Sequence, residues 1–189
     1  MCGRFYIETD DPDMGEIIRQ IAEEAKSQSE SIIVKTHGEI LPTDIVPVQT
    51  GVSLYRPMKW GFTGFKNKPV INARSETVME KPMFRVSIME RRCLIPASGY
   101  YEWQKVGRQK IRYRFFLPNE TIYFAGCYRL EKNSQMASFV ILTRQATHDF
   151  EAIHDRMPTI IPKERLADWL NETPGTVANV LEDLQYEIY

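Results

Sequence analysis

Arg92-Cys93-Leu94-Ile95-Pro96-Ala97-Ser98-Gly99-Tyr100-Tyr101-Glu102-Trp103 is the stretch on which the fold turns. It reads as two short strands, Arg92–Ile95 and Tyr100–Trp103, separated by small residues and a proline. Downstream the same grammar repeats in Ile111–Leu117, Thr121–Tyr128, Phe139–Thr143 and Thr159–Ile161, with Pro118-Asn119-Glu120 as a turn between two of them. Upstream, strands are predicted at Phe5–Ile7, Ile32–Val34, Ile45–Val48, Val52–Tyr55, Lys59–Phe62 and Val70–Ala73. Helical spacing occurs in fewer places. Asp11 caps a predicted helix with Pro12 at its first position, and Met14, Ile17, Ile18, Ile21 and Ala25 form its apolar face. A polar loop, Lys26–Ser31, follows it. Two short helices are predicted near the end, around Lys163–Leu170 and, after a Thr-Pro-Gly break, around Thr176–Leu184. No Gly-rich phosphate loop and no parallel βαβ pattern is visible, which argues against a nucleotide-cofactor fold. The expectation is one α+β domain over residues 1–189, built on a curved or barrel-like, antiparallel sheet core with a few peripheral helices.

Composition limits the functional classes. The chain has 189 residues, 43% of them hydrophobic and 26% charged, which is ordinary for a soluble domain with a real core. Its apolar runs fall far short of the ~20 residues that a membrane helix needs, and no signal segment opens it, so no membrane association and a cytoplasmic location are expected. Three cysteines, Cys2, Cys93 and Cys127, show no paired spacing. With only His37, His148 and His154 beside them, neither a zinc site nor another cofactor is expected. Net charge is −1, but it is unevenly spread. Residues 56–114 hold 14 Lys/Arg against 4 Asp/Glu, while the remainder holds 10 against 21. That asymmetry suits either one basic surface for nucleic acid or a solvated face on interleaved strands.

The chemistry begins at Cys2. Removal of Met1, which the small second residue permits, would leave an α-amine and a thiol on adjacent carbons. Their reference pKa values, about 7.7–8.0 and about 8.5, leave usable amine and thiolate at neutral pH. An amine condenses with an aldehyde to a Schiff base, and the neighbouring thiol can close a five-membered thiazolidine on that imine. Taken alone, a second-position cysteine is more often incidental. Three other segments offer partners. Asn72 and Arg74 lie two apart and project to one face of a strand, an amide to hold an amine and a guanidinium to fork onto phosphate. Glu102 sits among small and aromatic residues, where desolvation turns a carboxyl into a proton donor near neutrality, unless it simply faces water at a strand edge. His154 has the side chain best suited to proton transfer, with Arg156 two residues on. His37 and His148 lack such company.

Five blocks in order then resemble the SOS response-associated peptidase (SRAP) family: Met-Cys-Gly-Arg-Phe at 1–5, Pro-Met-Lys-Trp-Gly-Phe at 57–62, Ile-Asn-Ala-Arg-Ser-Glu-Thr at 71–77, Arg-Arg-Cys-Leu-Ile-Pro-Ala-Ser-Gly-Tyr-Tyr-Glu-Trp at 91–103 and Ile-His-Asp-Arg-Met-Pro at 153–158. The resemblance implies an SRAP fold and a protein that shields abasic sites in single-stranded DNA during the DNA damage response, through a covalent crosslink. It implies catalytic roles for Cys2 as nucleophile, Asn72 as the group orienting amine and sugar, Glu102 as acid/base and His154 as the residue that senses and helps open the sugar. Arg4, Arg74 and Arg156 match phosphate-binding arginines, and Trp60 and Phe62 fall where the family packs against DNA bases. A self-modifying enzyme is implied, with peptidase-type removal of Met1 and weak abasic-site lyase activity as accompaniments, acting as a monomer at damaged DNA. The chain departs from the family pattern after Phe62, where Thr63–Lys68 is short, so an aromatic wedge would be weaker or supplied by Phe65. The end at Tyr189, without the long tail of eukaryotic members, suggests a bacterial or phage-type stand-alone domain. Three rivals stand beside this reading: an N-terminal-nucleophile amidotransferase, a thiol peptidase using Cys2, His154 and Glu102, and a noncatalytic single-strand binder.

Overall fold

The computed structural model of the chain describes residues 2–9, 12–27, 32–132, 134, 136–171, 181 and 183–189. In chain order the first half comprises β1 (Phe5–Ile7), α1 (Pro12–Ser27), β2 (Gly38–Ile40), β3 (Ile45–Gly51), β4 (Leu54–Trp60), β5 (Phe62–Thr63), β6 (Pro69–Val70), β7 (Asn72–Arg74) and α2 (Pro82–Glu90). The second half comprises β8 (Arg92–Ala97), β9 (Gly99–Val106), β10 (Gln109–Phe116), β11 (Ile122–Leu130), β12 (Ala137–Gln145), α3 (His148–Glu151), β13 (Arg156–Pro158), β14 (Ile160–Ile161), α4 (Leu166–Asn171) and β15 (Gln185–Ile188).

Five strands close into a ring of pairings. β4 pairs with β3, β3 with β8, β8 with β11, β11 with β12, and β12 returns to β4. Closure removes the exposed edges that an open sheet would present. Alternation along these strands explains their composition. Cys93, Ile95 and Ala97, with Phe124, Phe139 and Ile141, belong to one apolar cluster, while Leu94, Tyr123, Ala125, Cys127, Val140 and Leu142 belong to a second on the other side. Strands buried on both faces must be apolar at every position, which is why Phe139-Val140-Ile141-Leu142 is an unbroken run. α2 and α4 cover the second cluster with Phe84, Ile88 and Trp169. The buried Arg92 donates to the carbonyls of Ile88 (3.1 Å) and Trp169 (2.6 Å), tying both helices to β8.

The second sheet runs β15-β10-β9-β1-β2. Its inner face, with Phe5, Ile7, Ile40, Tyr100 and Phe115, joins the first cluster, and α1 adds Met14 and Ile17. Gly99 opens β9 where a side chain has no room: a Cβ there would lie 2.3 Å from the Phe115 carbonyl oxygen and 2.5 Å from the Tyr6 hydroxyl. No described helix is long and apolar enough to cross a membrane.

The strand-rich α+β expectation therefore holds, with corrections in detail. All pairings are antiparallel except β12 with β4 and β12 with β7, which are parallel. Val52–Tyr55 and Lys59–Phe62 are not separate strands. The turn at Val52-Ser53 (Ser53 φ 53°) precedes a single strand, β4, which Gly61 (φ 113°) ends. Ile32–Val34 forms no strand, and Ile33 is 86% exposed; the strand lies later, at β2. α1 begins at Pro12 as expected and runs to Ser27, past the predicted loop start. The Asp11 cap, the side chain of Ala25 and residues 28–31 lie outside the described residues. So does most of the helix expected over Thr176–Leu184. Of it, Leu181, Asp183 and Leu184 are described and are not helical, and the unexpected edge strand β15 follows. Helix α2 was also unexpected.

Candidate functional site

Cys2 lies three positions before the start of β1, fully buried in the first cluster. Burial pushes its thiol well above the ordinary cysteine value, the negative charge of Glu102 adds to the rise, and the backbone N–H of Arg4 opposes it. The thiol is therefore neutral in this environment. Its peptide carbonyl is held from across the molecule, where Asn72 Nδ2 donates to the Cys2 oxygen at 2.8 Å. Asn72 can reach because β7 adds in parallel to β12, with Asn72 beside Ile141, while the intervening Ala73 turns into the second cluster. The amide's Oδ1 is buried and accepts no hydrogen bond, an open acceptor next to the Cys2 backbone. Arg74 lies two residues on, exposed, and makes no ion pair with another described residue.

Glu102 projects from β9, 4% exposed. Tyr100, two residues earlier, shares its face, and burial raises that hydroxyl far above the usual tyrosine value, with Cys2 and then Glu102 as further causes. Thiol, phenol and carboxyl thus form one buried group. Tyr100 was not singled out from the sequence. Its two-residue spacing from Glu102 on a strand was the available signal.

His154 follows α3, whose Phe150 is buried and whose Phe150 carbonyl accepts the His154 N–H at 3.1 Å. Gln104, on the same face of β9 as Glu102, donates to the Ala152 carbonyl at 2.8 Å and so ties the His154 segment to that strand. His154 Nδ1 accepts the backbone N–H of Arg156 at 3.0 Å and lies 2.9 Å from Asp155 Oδ1. A backbone donor on Nδ1 places the proton of the neutral ring on Nε2.

The arginines are not gathered into one row. Arg156 NH1 and NH2 hold Glu76 Oε1 and Oε2 at 2.7 and 2.9 Å, and NH2 also donates to the Thr143 carbonyl at 2.6 Å. This fork, with its side chain 13% exposed, is occupied by a carboxylate, so a phosphate reaches Arg156 only by displacing Glu76. The pair holds the Glu76 carboxyl down at about 2. Arg4 lies on the opposite face of the second sheet from Glu102, 3.4 Å from Glu39 and over the Trp103 ring at 5.2 Å. Trp60 and Phe62, expected to meet DNA bases, are both fully buried. Trp60 packs between Phe5 and Phe139 and donates Nε1–H to the Ile71 carbonyl at 3.0 Å, while Phe62 fills the second cluster under Arg129. Neither ring has a free face for a base. The exposed aromatic of that stretch is Phe65 (84%), in a turn where Lys66 and Asn67 take positive φ.

A closed barrel flanked by a second sheet, with a cysteine at the chain start held between an amide and a carboxyl, defines the class of this protein. The family model for SOS response associated peptidase (SRAP) matches residues 1–188, and the chain belongs to that family. Curated relatives include the abasic site processing protein YoqW of Bacillus subtilis, 38% identical over 107 residues that make up 54% of this chain and 48% of that one. Another is YMR114C of Saccharomyces cerevisiae, of the same description, 29% identical over 85% of this chain and 52% of that one. The chain spans about half the length of the curated relatives it matches. Among solved structures, a Bacteroides thetaiotaomicron protein superposes with a TM-score of 0.75 at 23% identity, covering 99% of this chain and 91% of that one. A Bordetella bronchiseptica protein gives 0.76 at 19%, covering 100% and 99%, and both support the fold alone.

Proposed function

We propose that this protein processes abasic sites in single-stranded DNA by capturing the sugar aldehyde on Cys2, one protein per lesion. The observation that carries the reading is the hold on Cys2: Asn72 on its backbone, Glu102 buried beside its thiol. The names of its relatives, abasic site processing proteins, point the same way.

The environment orders the steps. With Met1 in place the Cys2 nitrogen is an amide; hydrolysis of that peptide bond, by the site itself or by an aminopeptidase, frees the amine. His154 donates a hydrogen bond from Nε2–H to the ring oxygen, and the C1 hydroxyl proton passes through water to that oxygen as the closed sugar opens to its aldehyde. The amine, its N–H held by Asn72 Oδ1, attacks the aldehyde carbon first, because burial keeps the thiol protonated. Glu102 relays the protons that the amine gives up to the departing oxygen, so that water leaves and the imine forms. The Cys2 thiol then passes its proton to the Glu102 carboxylate, its sulfur bonds to the imine carbon, and Glu102 hands that proton on to the nitrogen. The product is a thiazolidine. The same imine supports weak β-elimination of the 3′ strand.

Arg74, which pairs with no other described residue, provides the guanidinium for a flanking phosphate; Arg4 joins only by exchanging Glu39 for phosphate, and Arg156 stays on Glu76. The exposure of Phe65, with Lys66 and Lys68 near it in the chain, supports its use as the ring that stacks on a neighbouring base. The test is denaturing electrophoresis after mixing with an oligonucleotide bearing one abasic site. Cys2→Ala is expected to leave no adduct, and Cys2→Ser only one that hydrolyses readily. An undiminished adduct in Cys2→Ala would sink the proposal.

A further inference from the structure

We propose that Glu76, acting through Arg156, is a positioning residue for His154. The inference rests on the reading of His154 as the Nε2–H donor that polarises the ring oxygen while the sugar opens. Two of the site residues come from opposite flanks of one strand. β7, carrying Asn72, lies along one edge of β12, with Arg74 beside Thr143. β13, which follows His154, lies along the other, with Arg156 beside Gln145 and Pro158 beside Thr143. The spacing between Asn72 and His154 therefore depends on what ties these flanks together across the end of β12.

Glu76 supplies that tie. Its carboxylate takes both terminal nitrogens of Arg156 at 2.7 and 2.9 Å and accepts the Gln145 backbone N–H at 3.2 Å. Arg156 in turn grips the Thr143 carbonyl, which also accepts the Ser75 N–H at 2.9 Å. Arg156 then reaches His154 through its own backbone, whose N–H fills Nδ1 at 3.0 Å. A clasped Arg156 backbone holds the ring in the tautomer that carries its proton on Nε2. An unclasped one withdraws that N–H and leaves Asp155 Oδ1, already 2.9 Å from Nδ1, to draw the proton there. A planar two-point pair is suited to this, because it fixes orientation as well as distance. Ser75 Oγ and Thr159 Oγ1, 2.9 Å apart, tie the same flanks independently, so loss of the Glu76 charge leaves the fold standing.

The test compares wild type with Glu76→Gln and Glu76→Asp in three readouts. These are the single-turnover rate of adduct formation at saturating abasic oligonucleotide, the affinity for the undamaged oligonucleotide, and the ¹⁵N chemical shifts of the His154 ring. The expected result for Glu76→Gln is a rate lower by on the order of tenfold or more, affinity within about twofold, and a His154 ring that changes from the Nε2–H tautomer to a mixture. Glu76→Asp, which keeps the charge, is expected to recover part of the rate. An unchanged rate and tautomer would overturn the proposal. So would an affinity that rises at constant saturated rate, because Glu76 would then merely compete with phosphate for Arg156. If wild type formed no adduct, covalent capture would fail, while the tautomer readout would still decide whether Glu76 sets the ring.

Discussion

The barrel and the second sheet solve the same problem in different ways. β8, β11 and β12 are apolar on both faces and carry almost nothing that reacts. β9, β10 and β1 are apolar on one face only, and the other is coated with arginines lying on aromatic rings. Arg112 sits 3.7 Å above Tyr101, 4.8 Å above Tyr189 and 5.5 Å above Trp103, and Arg114 sits 4.7 Å above Phe116. The proposed site lies where the two meet. Cys2 and Glu102 come from the sheet side, while Asn72 and Arg156 lie on strands that flank β12 of the barrel, with Glu76 in the turn after β7. The barrel supplies rigidity and the sheet side supplies the proposed nucleophile, so the proposed site is positioned by elements whose own stability does not depend on it.

Substitutions can break this division, and the largest effect is expected in the barrel. Trp60→Ala removes the ring packed between Phe5 and Phe139 together with the hydrogen bond to Ile71. It should cost about 3–5 kcal/mol of unfolding free energy in a urea titration. A loss below about 1 kcal/mol would show that Trp60 is not the core residue described. On the outer sheet face, Arg112→Gln should cost about 1 kcal/mol, since it removes cation–π contacts and a partner of Glu39 at a partly solvated site. The smallest effect is a pH dependence. Glu76 is held at about 2, below its unfolded value of about 4.3. Its contribution to stability is therefore complete above about pH 5 and is lost as pH falls toward 2. In Glu76→Gln that part of the acid-induced decline should vanish; an identical decline would show that the clasp stabilises nothing.

Much of this was legible in the residues. The unbroken run Phe139–Leu142 announced a strand buried on both sides, and the spacing of Met14, Ile17 and Ile21 announced α1. Cys2, Asn72 and Glu102 were singled out from the chemistry their side chains carry, and the structure brings those three together. What was hidden has physical reasons. Period-two alternation tells which residues share a face but not which face meets the core, so it could not correct the resemblance that set Trp60 and Phe62 against DNA bases, although both are buried. Helix α2 gave no polar stripe to read, because Met83, Val86 and Met89 on its outer side are as apolar as Phe84 and Ile88 beneath. The edge strands β2 and β15 are short and half polar, and are strands only because partners are present. The Glu76–Arg156 pair joins residues 80 apart, a contact that no local pattern records.

The most direct measurement is the intact mass of the purified chain before and after mixing with single-stranded DNA bearing one abasic site. Covalent capture on Cys2 predicts a protein lacking Met1, then a stable species heavier by the oligonucleotide less one water, with the modification mapping to Cys2. A mature Cys2 that remains at its unmodified mass in the presence of the abasic strand would contradict it.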